Sequence, residues 1–195
     1  FELSLLGRLI HRGSERSTEN WLLETSGSHQ LQEQALTVHR ESLRKINLKA
    51  LSFKGEIEDN LYTSIRDDLP LEESVSELSY YDLSNVYFEG RMKGSELSTY
   101  GPSKEKRLDQ PIVTYSFLSD GGGMIKRSHF YSGNTYEAST FPDIIESLDK
   151  QDVFLCDSGI ATQENIDSLI LGAYRYMCVS KSSFKEFGVD FTETS

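Results

Sequence analysis

Leu78-Ser-Tyr-Tyr-Asp82-Leu-Ser-Asn-Val-Tyr-Phe88 is the stretch on which the reading of the fold turns. It is apolar, aromatic and β-branched enough to be a strand, yet it carries a carboxylate at its centre. A second short apolar run, Asp152-Val-Phe-Leu-Cys-Asp157-Ser-Gly159, ends on another aspartate. An ionised side chain within a buried strand is costly unless a partner offsets its desolvation, and a bound divalent cation is a common partner. Two such aspartates in one small α/β domain therefore read as a pair of metal-holding carboxylates. Taken singly, each has a plainer reading. Asp82 could be a hydrogen-bonded strand aspartate, and Asp157-Ser-Gly159 an ordinary strand-to-turn sequence.

Around these two runs the pattern changes once along the chain. Before about residue 70 it is helical. Leu3, Leu5, Leu6, Leu9 and Ile10 form an apolar face, and Gly13 interrupts it. Ser14 is placed to cap a second helix that carries Trp21, Leu22 and Leu23 and ends by Gly27. Further helices are expected over Val38–Ile46 and Leu51–Leu69. Pro70 and the acidic stretch that follows read as a linker, which sets a helical segment at 1–76 and a sheet domain at 77–195.

In the second part, strands are expected over Leu78–Phe88, Ile112–Leu118 and Met124–Tyr131, the last two joined by a hairpin turn at Asp120-Gly-Gly-Gly123. Thr140-Phe-Pro-Asp143 has a capping-box-like form and opens a helix through Leu148. Strand Val153–Cys156 follows, then a helix capped by Thr162 and ended by Gly172, then a strand from Tyr174 to Ser180. Three antiparallel strands followed by α-β-α-β is the order of a ribonuclease-H-like mixed sheet, in which the first strand lies beside the fourth. Such a sheet would bring Asp82 and Asp157 together although they stand 75 positions apart.

Bulk composition narrows the classes further. The chain has 195 residues and a net charge of -11, with 37% hydrophobic and 26% charged residues, so a packed core is available. The acidic balance argues against a broad basic nucleic-acid surface and leaves local basic patches or bound cations to make any such contact. The two cysteines, Cys156 and Cys178, read as small core residues in a reducing compartment. No apolar run approaches the roughly 20 residues that span a bilayer, so no membrane partner is expected. The first residue is Phe1, already inside an apolar pattern, and the chain reads as a piece of a longer protein.

Two carboxylates on such a sheet suit phosphoryl transfer, in which two cations roughly 3.5–4 Å apart activate the attacking oxygen and stabilise the leaving one. Asp82 would bridge both ions, Asp157 would hold one, and a third carboxylate is expected. Several local patterns resemble the DDE transposases of bacterial insertion sequences, in the group whose ribonuclease-H-like core carries a long insertion. These are Arg8-Leu-Ile-His-Arg-Gly-Ser14-Glu15 with Trp21-Leu22; Tyr81-Asp82-Leu-Ser-Asn-Val-Tyr-Phe88-Glu89-Gly90; Tyr100-Gly101-Pro-Ser103-Lys104-Glu-Lys106-Arg107-Leu-Asp109-Gln110; Gly133-Asn134 with Thr140; and Asp157-Ser-Gly159 with Glu164-Asn165. Each is weak alone, and their order and spacing together are specific.

The resemblance implies Asp82 and Asp157 as catalytic metal ligands, two Mg²⁺ ions with Mn²⁺ as a substitute, and double-stranded DNA as partner. It also implies a homodimer in the DNA complex and a cytoplasmic, nucleoid-associated location. The implied reaction is strand cleavage at element ends followed by strand transfer. Lys104, Lys106 and Arg107 are candidate phosphate contacts, diluted by Glu105 and Asp109. The sequence departs from the family at Asp82-Leu83-Ser84, where a valine-threonine form is frequent, and at Glu137, where an aspartate is common.

The family's third carboxylate, a glutamate on a late helix, has no counterpart here. Glu193 stands 36 positions after Asp157, but Lys181–Ser195 shows no helical stripe to carry it. The chain is thus expected to stop before that residue, and the fragment alone to be inactive. The competing readings are a transposase remnant without turnover and another two-metal nuclease of the same fold. Lys126 and Arg127 read as an exposed strand face, and His129 as structural.

Overall fold

The computed structural model describes residues 2–24, 39–70, 72, 75, 77–90, 92, 94–101 and 109–179. The chain forms two compact units, Phe1–Ile57 and Glu58–Ser195. In the first, α1 (Glu2–Leu6) runs into a π-helical turn, Gly7–His11, and α2 (Glu15–Glu24) and α3 (Arg40–Leu51) follow. The break expected at Gly13 is prepared one residue earlier. Arg12 adopts a left-handed conformation (φ 55°) and its amide closes the π turn on the Gly7 carbonyl at 3.0 Å. Gly7 is needed for close approach, because a Cβ there would stand 2.3 Å from Thr18 Cγ2. Ser14 caps α2 as expected, accepting from the Ser17 amide. Leu22 and Leu43 are the buried apolar contacts of this unit, and Ser4 donates to Asn47 Oδ1 across it.

The helix expected over Leu51–Leu69 is α4 (Lys54–Asp68), which begins in the first unit and runs into the second. In the second unit, β1 (Leu78–Tyr87), β2 (Ile112–Asp120), β3 (Ile125–Ser132), β4 (Val153–Cys156) and β5 (Arg175–Cys178) form one sheet in the order β3-β2-β1-β4-β5. β1 and β2, and β2 and β3, pair antiparallel; β1 and β4, and β4 and β5, pair parallel. With α5 (Phe141–Ile145) and α6 (Gln163–Leu171) on the connections, this is the ribonuclease-H-like α/β architecture.

The core fills one face of the sheet. Tyr81 and Leu83 of β1, Leu118 of β2 and Phe154 and Cys156 of β4 pack against Phe141, Ile144, Leu148, Ile160 and Leu169. Strand alternation sends Tyr80 and Asp82 to the other face. Asp82 is therefore exposed, a correction to its reading as a carboxylate within a buried strand. The misreading arose because Tyr80, Val86 and Tyr87, which look like core residues in sequence, are exposed too. Thr140 also differs from expectation. Its hydroxyl does not cap α5 but donates to the Glu137 carbonyl and accepts from buried Tyr81, and α5 ends at Ile145 rather than Leu148.

Nor are Lys126 and Arg127 a solvated face. Lys126 Nζ donates to Asp152 Oδ2 at 2.6 Å and to Ser79 Oγ at 3.0 Å, and Arg127 pairs with Asp59. The β2–β3 register slips between Leu118 and Ser119, so Lys126 is the extra residue of a bulge, turned toward Ser79 and Asp152. The hairpin end is held by Asp120. Its Oδ1 accepts from the Gly122 and Met124 amides, and Gly123 supplies the positive φ that the turn requires.

Asp120 has no exposed surface, and Arg66 of α4 meets it through two hydrogen bonds of 2.7 and 2.9 Å. Burial pushes the Asp120 carboxyl up, but Arg66, the Met124 amide and Tyr62 outweigh it and leave it below its ordinary range. The same contact raises the Tyr62 phenol to about 12, first through burial and then through Asp120. Arg66→Ala leaves that carboxylate buried without its cation and should lower the urea midpoint of unfolding at neutral pH. A lowered carboxyl stabilises the fold above its unfolded value and loses that contribution on acidification. The gap between parent and variant should therefore narrow as pH falls below about 4; a gap independent of pH would contradict the ion pair.

Candidate active site beside the parallel strands

Asp82 faces a groove of about 430 Å³ on the side of the sheet away from the core. Tyr80 and Ser84 of β1, Tyr115, Phe117 and Ser119 of β2, and Gly123 and Ile125 line it with Asp82. Asp82 is paired across the antiparallel ladder with Phe117. On its other side, Tyr81 is paired with Cys156 in the parallel ladder. Asp82 and Asp157 are thus each the next residue along neighbouring strands, which in a sheet lie about 4.8 Å apart.

Asp157 is exposed, at the point where β4 gives way to a turn. Its Oδ1 accepts from the Gly159 amide at 2.8 Å and the Ile160 amide at 3.2 Å, an Asx turn that fixes the carboxylate. These amides engage one oxygen and leave Oδ2 without a hydrogen-bond partner among the described residues.

Glu137 reaches the same turn. The position a Cβ would take at Gly159 lies 2.2 Å from Glu137 Oε2 and 3.1 Å from Asp157 Oδ1. Gly159 is therefore the residue that lets the two carboxylates share this place, which the sequence signalled only as part of a turn. Glu137 opens a 3₁₀ turn, Glu137–Thr140, that the sequence reading did not separate from the helix after it. Asn165 ties that turn to the Asp157 loop. Its buried amide donates to the Ala138 carbonyl at 2.9 Å and the Ile160 carbonyl at 2.8 Å. Thr162 caps α6 in the same stretch by accepting from the Asn165 amide, as expected.

Beneath the turn the chemistry is apolar. Cys156 is buried beside Cys178, both are free thiols, and burial pushes the Cys156 thiol to about 12, with Cys178 and Asp157 adding to the rise. A thiol so far from its thiolate is packing material rather than a nucleophile or a ligand.

The donor set fits a hard divalent cation. Aspartate oxygens suit Mg²⁺, which keeps several of its waters and needs few protein ligands. Among the described residues, no group of three or more His, Cys, Asp or Glu is arranged to enclose a metal by itself. Lys104, Lys106, Arg107 and Glu193 lie outside the described residues. The segments around that basic loop do come together. Thr99 Oγ1 meets Ser132 Oγ and Asn134, and a Cβ on Gly101 would stand 2.8 Å from the Gly133 carbonyl oxygen. No described helix is long and apolar enough to cross a membrane.

No family model matches the chain, and no curated protein matches it. Solved structures similar to it include a piggyBac transposase synaptic complex with hairpin DNA, at 14% identity and a TM-score of 0.42, covering 96% of this chain and 41% of that one. The Mos1 transposase paired-end complex with the left transposon end is 12% identical, with a TM-score of 0.35, over 90% of this chain and 56% of that one. A Mos1 mariner paired-end complex with Mn gives 13% and 0.37, over 90% and 57%. This chain spans little more than half the length of the Mos1 structures and less of piggyBac. Likeness at this level carries no argument, and the fold and the site rest on their own geometry.

Asn165→Ala would leave two buried carbonyls without their donor. The expected cost is about 1–3 kcal/mol in chemical unfolding, a loss that an exposed neighbour such as Gln163→Ala should not reproduce.

Proposed function

We propose that this chain belongs to the catalytic region of a DNA transposase of the DDE class, with Asp82 and Asp157 as its metal-holding carboxylates. The observation that carries the reading is the pairing of Tyr81 with Cys156 on neighbouring parallel strands of a ribonuclease-H-like sheet, since each of these residues is followed by one of the two aspartates. The order and spacing of the motifs described above support it. The proposed catalytic domain is 77–195, preceded by the helical segment 1–76, and Lys104, Lys106 and Arg107 are proposed phosphate contacts. DNA is the proposed partner, and pairing of two element ends implies a dimer of the chain in that complex.

Bound divalent ions, Mg²⁺ or Mn²⁺, would supply Lewis acidity and an activated oxygen nucleophile at the scissile phosphate. The chain's own part is positional. Asp157 Oδ1 is anchored by two amides, so its second oxygen is presented in a fixed direction at little entropic cost. Asp82 stands on a rigid central strand, and Glu137 adds negative charge beside Asp157. In the first step water attacks a phosphodiester, the P–O3′ bond breaks, and a 3′-hydroxyl leaves with the proton. In the second, that hydroxyl loses its proton and attacks a target phosphodiester; the new O–P bond joins the two strands as the target P–O3′ bond breaks and the target 3′-hydroxyl leaves with the proton.

A remnant without turnover is the second reading, favoured by the lack of a third convergent acid among the described residues. Metal binding and catalysis distinguish the two. Mn²⁺ should bind this chain, read by the loss of its free-ion paramagnetic resonance signal, and both Asp82→Asn and Asp157→Asn should weaken it. In the uninterrupted reading frame, Mg²⁺-dependent cleavage of an end-bearing duplex should be abolished by either change. Variants that cut as well as the parent would refute the metal-site assignment; metal binding with no cleavage in the full frame would establish the remnant.

A further inference from the structure

A second polar cavity lies in the helical unit, well defined by its own residues. Ser14, Glu15, Arg16, Arg40, Glu41 and Arg44 enclose about 270 Å³ where the first turns of α2 and α3 meet. All three arginines are exposed. The acids around them are mostly engaged. Arg8 holds Glu15 at 2.5 Å, and Glu19 Oε1 accepts from the Arg40 amide and lies 3.4 Å from His39 Nδ1. Glu41 stands 3.9 Å from Arg44, a long contact between two largely exposed groups. The N-cap of α3, His39, makes no side-chain hydrogen bond, and Glu19 meets the first helical amide in its place. The cavity thus gathers three exposed arginines, with Glu15 held by Arg8 and Glu41 loosely paired with Arg44. Guanidinium forks match tetrahedral oxyanions in bidentate geometry.

Charge along the chain points the same way. Acids exceed bases by 31 to 20 overall, but in Phe1–Ile57 the two nearly balance, so the excess belongs to Glu58–Ser195. A polyanion is therefore repelled least at the helical unit.

We infer that the Arg16–Arg40–Arg44 cavity is a phosphate-binding site that anchors the sugar-phosphate backbone of nucleic acid. The choice of nucleic acid over free phosphate rests on the proposed function; the oxyanion chemistry does not. The site grips backbone rather than base, so it carries affinity and register and no sequence information.

The test uses the whole chain in EDTA, so that the carboxylate site plays no part, with a fluorescently labelled random-sequence duplex followed by anisotropy across a salt series. Arg16→Gln, Arg40→Gln and Arg44→Gln, singly and together, are compared with the parent and with Arg175→Gln, an exposed arginine of the sheet unit paired with Glu77. Circular dichroism and thermal midpoints check each fold, and the single variants keep the comparison usable if the triple does not fold. The slope of log affinity against log salt should fall by about 0.9 for each phosphate left without its arginine, with affinity on the order of tenfold weaker per arginine removed at about 0.1 M salt. Arg175→Gln should bind as the parent does. Unchanged affinity and slope in all three single variants would overturn the anchor and leave DNA as substrate untouched. If the parent ignores DNA while inorganic phosphate raises its thermal midpoint and not that of the arginine variants, the site takes free anions and the DNA backbone is the wrong source. If neither ligand binds, the anchor falls, and the DNA reading is decided separately by the metal-dependent cleavage assay.

Discussion

Backbone pairing between β1 and β4 is the constraint on which the rest of the sheet unit depends. Parallel neighbours need a long crossover, and here that crossover includes β2, β3 and α5. The pairing could in principle slip, and a slip of one residue would turn every side chain of a strand to the opposite face. What prevents it is the core. Tyr81 and Leu83 of β1 and Phe154 and Cys156 of β4 must all reach the layer formed by Phe141, Ile144 and Leu169. A shifted β1 would bury Tyr80 and Asp82 and expose Leu83, exchanging a packed apolar surface for a desolvated charge. The apolar face fixes the register, and the register sets Asp82 beside the strand that ends at Asp157.

Two buried polar contacts complete that selection. Arg66–Asp120 joins α4 to the hairpin end, and Lys126 reaches from the bulge to Asp152 and Ser79 beneath the start of β4. Such pairs add little net stability when set against well-packed apolar residues of the same shape. Their geometry is demanding, however, because any arrangement that separates the partners leaves a charge without compensation. The hairpin, the edge helix and the parallel strand are thereby tied to one alignment. The core sets the faces of the sheet, and these contacts oppose sliding along it.

The strand pattern was readable because local alternation and turn chemistry carry it. β4 was expected over the residues it occupies, Thr162 was identifiable as a cap, and the glycines after Asp120 marked the hairpin. Which face a residue takes was harder to read. β1 is apolar on both sides, so alternation alone did not show that Tyr80, Asp82 and Val86 are exposed. Contacts between remote segments left no local mark at all. Nothing near Asp120 announces Arg66, and nothing near Gly159 announces Glu137. Lys126 and Arg127 look like a solvated pair because a bulge, which redirects a side chain, is invisible in a pattern of two. The candidate site was thus legible as residues and order, while its support from Glu137, Gly159 and Asn165 required three dimensions.

Exposure of Asp82 changes the physical case for a cation without weakening it. A buried carboxylate calls for a counter-ion to offset desolvation; an exposed one does not, and Asp82 and Asp157 would be stable in water alone. The reason to expect a metal moves from the fold to the ligand. A phosphodiester approaching Asp82 and Asp157 meets exposed carboxylates on a unit that already carries the chain's excess negative charge, and the repulsion grows as water is excluded. On the proposed reading, divalent ions held jointly by protein and substrate remove that repulsion, and neither partner need bind them tightly alone. This accounts for a site with few protein ligands and no enclosing cage among the described residues.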